Sequence, residues 1–122
     1  MASEPRHAGR PSPGRRSPGD ERGQEWLTDE TIDLLETVRS LETTEELARF
    51  LRDLCTLGEL EAMTHRWQVA KLVDEGLPYH EVARRTGAST TTVTRVAHWL
   101  RRGEGGYRLA LDRRRTRSAA SA

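Results

Sequence analysis

The stretch "EVARRTGASTTTVTRVAHWL", residues 81–100, restricts the fold more than any other part of the chain. Val82 and Ala83 lie on the inner side of a short helix that starts at Tyr79, and the small Ala83 lets a second helix approach closely. Gly87 sits in the turn, where a positive φ is needed and only glycine adopts it cheaply. Ala88 tucks inward and Ser89 is a good N-cap for the second helix. Val93, Val96, Ala97 and Leu100 then recur at helical spacing as its buried stripe. The pattern predicts a helix-turn-helix over residues 79–101.

The second helix is rich in threonine, a mediocre helix former because its branched β-carbon restricts χ1. Some gain must offset that choice, and the face left outside the apolar stripe supplies it. Ser89, Thr90, Thr91, Thr94, Arg95 and His98 occupy that face, most of them near the helix N-terminus, where a recognition helix meets base edges and phosphates. Short hydroxyl side chains donate or accept hydrogen bonds, offer a methyl to thymine and let the backbone come close to the groove. The helix at 90–101 is therefore expected to read the major groove of double-stranded DNA. His80, Arg84 and Arg85 on the first helix, with Arg101 and Arg102 past the second, are expected to reach phosphates. The bland alternative is a helical hairpin with a hydroxyl-rich surface, serving as a protein-protein interaction module without specific DNA binding.

Charge separates these alternatives. The net charge of +1 hides a division: residues 1–25 carry +1, residues 26–75 carry −7 and residues 76–122 carry +7. A basic half that contains the bihelical motif points to an anionic partner.

The rest of the chain reads as helix. Ile32, Leu35, Val38 and Leu41 recur every three residues after Asp29 and Glu30, predicting a first helix. Thr43 and Glu46 form a capping box ahead of Leu47, Phe50, Leu51 and Leu54, a clean apolar stripe for a second. A longer third helix covers 57–75, apolar over more than half its circumference in its second half, and Gly76 and Pro78 end it. After Leu100, Gly103, Gly105 and Gly106 break the chain. Tyr107, Leu109 and Leu111 make a short apolar piece before a flexible basic tail at 112–122. Residues 1–24, rich in Pro, Gly, Ser and Arg, cannot bury enough apolar surface to fold and are expected to be disordered. The expected fold is all-α with six helices, the folded domain spanning 26–111.

Aromatics make up only 5% of the residues, so a monomeric core is modest and a homodimer is the natural remedy. Cys55 is the sole cysteine, which excludes an intrachain disulfide and fits a reducing, cytoplasmic location. The N-terminus has no apolar stretch of a secretory signal, and no run is long enough to span a membrane. His7, His65, His80 and His98 are scattered without a cysteine or carboxylate set at metal spacing, so neither a metal nor another cofactor is expected. Cys55 has no evident base beside it and reads as a spectator, not a nucleophile. No catalytic constellation is present.

From "LRDLCTLGELEAMTHRWQVAKLVDEGL" through "EVARRTGASTTTVTRVAHWL" to "GEGGY", the chain resembles the Trp repressor superfamily, specifically its YerC/YecD-type branch. The similarity covers roughly residues 30–111. It implies an intertwined homodimer with two reading heads on one side, hence a near-palindromic site with half-sites about 34 Å apart. It further implies a transcription regulator, with repression as the expected effect. In Trp repressor two arginines sandwich the corepressor's indole. The matching positions here are Arg66 and Arg95, with Thr56 and Thr92 aligned to nearby threonines, so a small-molecule effector pocket is a further alternative. Val96 departs from the glycine of the tryptophan-binding protein and places a branched side chain at that pocket. The competing account of Arg66 is an ion pair with one of the acids of residues 26–75, and that of Arg95 is DNA contact.

Overall fold

The computed structural model describes residues 25–121, and within them six helices and no strand. The expected disorder of 1–24 falls outside the described residues. Two compact units divide the chain, one ending at Leu51 and one starting at Arg52.

The first unit holds α1 (Asp29–Ser40) and most of α2 (Thr44–Leu54). The Thr28 hydroxyl caps α1 by accepting the Thr31 N–H at 3.1 Å, satisfying one of the donors a helix start leaves open. At the start of α2 the Glu46 N–H donates to the Thr43 hydroxyl at 3.0 Å. The return bond differs from the expected capping box: the Glu46 carboxylate accepts the N–H of Glu42, one residue earlier, at 2.8 Å. Both ends of the link are still satisfied.

The second unit holds α3 (Leu57–Asp74), α4 (Tyr79–Thr86), α5 (Thr90–Arg102) and α6 (Gly106–Ser121). A complete capping box starts α3. The Glu59 N–H donates to Thr56 Oγ1 at 3.1 Å and the Thr56 N–H donates to the Glu59 carboxylate at 2.8 Å. The core lies where the second half of α3 meets α4 and α5. Val69 and Ala70 from α3, Val82 from α4, and Val93 and Val96 from α5 are fully or almost fully buried against one another. Leu77, Tyr79, Ala83, Ala88 and Tyr107 pack around them. Among the described residues no polar or charged side chain is fully buried, so the centre of this unit is held by apolar contact.

Small residues at the centre let three helices come together, and the turn between α4 and α5 fixes their order. Gly87 has φ +80°, the left-handed conformation that the turn demands, and its N–H donates to the Ala83 carbonyl at 2.9 Å. Thr86 braces the same turn, donating its hydroxyl to the Val82 carbonyl at 2.8 Å and accepting the Ala88 N–H at 3.1 Å. Past α5, Gly103 is required for another reason: a Cβ there would lie 2.5 Å from the Trp99 carbonyl oxygen.

The C-terminal segment differs from expectation. Residues 112–121, read from the sequence as a tail, continue α6 as helix. The helical piece is not limited to Tyr107–Leu111.

A Cβ at Gly87 meets nothing within 4 Å, so Gly87→Ala carries only the backbone penalty. We expect it to cost roughly 1–2 kcal/mol and Val82→Ala, which empties space at a fully buried position, roughly 2–3 kcal/mol. Urea denaturation of the two variants checks this, and a Val82→Ala protein as stable as the parent contradicts the described core.

Candidate nucleic-acid interface

The valine stripe of α5 decides where its other side chains point. With Val93, Val96 and Ala97 buried, the positions between them are forced outward by the 100° step of the helix. Ser89, Thr90, Thr91, Thr94, Arg95 and His98 are all exposed. Thr90, Thr91, Thr94, Arg95 and His98 line one open, concave surface at the N-terminal half of the helix. Ser89 caps α5, its hydroxyl accepting the Thr92 N–H at 3.1 Å. The other N–H groups of the first turn and the positive end of the helix dipole lie at the same end of α5 as Thr90 and Thr91.

The basic residues expected to touch phosphate are exposed but partly occupied. On α4, Glu81 is the hub. Its carboxylate accepts Arg84 Nε at 3.2 Å and Arg85 Nε at 2.8 Å, and Arg84 Nη2 closes a second contact. These hydrogen bonds, from Arg84 first and Arg85 second, hold the Glu81 carboxyl down at about 2. The Arg84 guanidinium is held more basic by the same bond. Arg84 and Arg85 therefore stand on α4 with one shared counter-charge. Arg101 is also engaged, donating to the Tyr79 hydroxyl at 2.8 Å and joining the end of α5 to the start of α4. His80 and Arg102 are exposed.

Three of the four residues implied by the effector resemblance come together. Arg66 of α3 and Thr92 and Arg95 of α5 line a cavity of about 330 Å³ with Val96, Trp99 and Tyr107. Thr56 does not line it; it is the cap of α3. Val96 forms part of the wall, at the position where its branched side chain was expected to intrude. The Tyr107 ring stacks on Trp67, with centroids 6.5 Å apart, and burial raises its hydroxyl above the ordinary range against the opposing pull of Arg66. Arg66 forms no salt bridge among the described residues, so the ion pair considered for it is not made there. Arg95 borders both the open threonine surface and this cavity.

Sequence reasoning missed Glu81, Thr86 and Tyr79 as organisers of the motif. Glu81 was legible, since acids three and four residues before arginines pair on a helix. The Tyr79–Arg101 bond spans 22 residues and leaves no local signal.

Taken together, a glycine-hinged helix pair with an outward hydroxyl face defines a helix-turn-helix protein. A sequence profile of the Trp repressor protein family matches residues 30–115, and the chain belongs to that family, whose fold is that of a regulator, not of an enzyme family. It is 42% identical over 80 residues to the uncharacterized protein YerC of Bacillus subtilis (strain 168), a match covering 66% of this chain and 77% of YerC. Two solved structures are similar. A TrpR-like protein from Eubacterium eligens superimposes with a TM-score of 0.71 at 33% identity, covering 74% of this chain and 93% of its own. A Trp repressor candidate from Staphylococcus aureus superimposes with a TM-score of 0.70 at 36% identity, covering 75% and 93%. No helix among the described residues is long and apolar enough to cross a membrane.

The Glu81 carboxyl titrates lower in the folded protein than its ordinary 4.5, so its ion pairs stabilise the fold fully above about pH 4.5 and are lost as pH falls toward 2. An NMR titration of the Glu81 side chain should give a midpoint near 2, and Glu81→Gln should flatten the acid limb of the stability profile. A midpoint near 4.5 contradicts the described arrangement of α4.

Proposed function

We propose that the protein is a homodimeric, sequence-specific DNA-binding transcription regulator, a repressor, that docks the N-terminal half of α5 in the major groove. One observation carries this proposal: Thr90, Thr91, Thr94, Arg95 and His98 share an open surface while the valines beside them are buried. A hydroxyl-rich helix N-terminus is chemically matched to base edges and phosphates. The family membership and the +7 charge of residues 76–122 support the same partner.

In this role Thr91, Thr94 and Arg95 face base edges. Arg84, Arg85, Arg101 and Arg102, with His80, flank them and set the register on the backbone. Glu81 pre-orients Arg84 and Arg85, so less side-chain freedom is lost when they meet phosphate. Dimerisation is supported by the apolar side chains the single chain leaves exposed. Leu57 is 60% exposed and Met63 is also exposed on α3, and Leu54 at the end of α2 is 51% exposed. Large apolar residues gathered in this way mark an interface.

A DNA binder of this kind loses affinity steeply between low and moderate salt, whereas an apolar protein-protein module does not. On duplexes enriched from a random pool, Arg84→Ala should weaken selected and random sequences alike and lower the salt slope by about one. Thr91→Ala should leave random duplexes nearly unaffected and weaken the selected ones by about tenfold or more. Identical behaviour of both variants on both duplex sets contradicts the assignment of roles.

A further inference from the structure

The C-terminal half of α6 is a helix without an apolar reason to be one. Leu111 is its last buried residue, and every side chain from Asp112 to Ala120 is exposed. A polar clamp holds it to α3. The Asp74 carboxylate accepts Arg108 Nη1 at 2.9 Å and Nη2 at 3.3 Å, and also pairs with Arg115. Asp112 accepts both Arg108 Nε at 3.2 Å and Arg115 Nη1 at 3.0 Å. The arginine bonds, Arg108 foremost, hold the Asp74 carboxyl below its ordinary value.

The clamp uses two of the five arginines of α6, with Asp74 and Asp112 as their counter-charges. Arg113 and Arg114 are exposed and have no ion-pair partner among the described residues. Arg114 stands with Lys71 on a small groove beside Asp74 and Glu75, and the neighbouring Arg113 is exposed next to it and does not line the groove. Placing four arginines in five positions, 113–117, costs self-repulsion on a helix surface. The helix dipole does not explain them, because its influence is confined to the last turn and that turn carries no basic residue.

Placement supplies the missing reason. Asp74 is the last residue of α3, and α4 begins at Tyr79, so the clamp fixes the basic part of α6 beside the corner from which the helix-turn-helix starts. We propose that the α6 surface carrying Arg113 and Arg114 is a second DNA contact, gripping the phosphate backbone of the duplex outside the stretch read by α5. This rests on the proposed function above. Guanidinium groups held on a rigid helix suit phosphates, and such contacts add affinity without sequence preference. The Asp74 clamp is then a positioning device that sets where those guanidiniums meet the backbone.

The test uses the full chain and a 30-base-pair duplex of random sequence, with binding followed by fluorescence anisotropy across potassium chloride concentrations. Arg113→Ala with Arg114→Ala leaves the clamp intact, and alanine favours the helix. The slope of log affinity against log salt should become shallower by about two for each protomer engaged, at roughly 0.9 per phosphate contact. Lysine at both positions should restore most of it. Parent protein that binds while the double alanine variant keeps the parental slope overturns the α6 surface and leaves the α5 reading standing. An unchanged slope accompanied by an altered sedimentation coefficient overturns it too, and assigns α6 to a protein contact. A parent protein that does not bind any duplex overturns both proposals.

Discussion

Everything in the second unit follows from a wedge of valines. Val69 of α3, Val82 of α4 and Val93 of α5 are fully buried against each other, with Ala70 and Val96 closing the gaps. Branched, compact side chains give such a junction little freedom to rotate, because each has one strongly preferred χ1 rotamer in a helix. Since α5 is pinned by Val93, Val96 and Ala97, its threonines have no choice of direction. The hydroxyl face is the complement of the core, and the orientation of the hydroxyls costs the protein nothing beyond packing it already needs.

Around that wedge, charge is organised by a few carboxylates that each engage more than one arginine. Glu81 holds Arg84 and Arg85 on α4, Asp74 holds Arg108 and Arg115 between α3 and α6, and Asp112 links the last two again. Solvent-exposed pairs of this kind add little stability. Their effect is positional. They leave a net positive surface while fixing where individual guanidiniums stand, which in the proposed role matters more than their contribution to folding.

The bihelical motif was readable because each of its requirements is local. Gly87 at a positive φ, Ser89 as cap and the Val93–Val96–Ala97 stripe all rest on neighbours a few residues away. The threonine face was readable as what that stripe excludes. The fate of residues 112–121 was not: three glycines and an arginine run look like a tail, and the counter-charge that anchors the helix comes from Asp74, 34 to 41 residues earlier. Thr56 was legible in another way: its T-x-x-E signature with Glu59 is plain in the sequence, and it forms the complete capping box at the start of α3.

The account stands on the outward face of α5 meeting duplex DNA. Amide chemical-shift mapping of the full chain, titrated with a 20-base-pair duplex at low salt, addresses that contact residue by residue. The account predicts that the largest perturbations cluster at Ser89–Arg95 and at the arginines of α4, with Val69 and Ala70 little changed. Perturbations concentrated on the Leu54–Met63 segment, with the α5 amides unmoved, would contradict it.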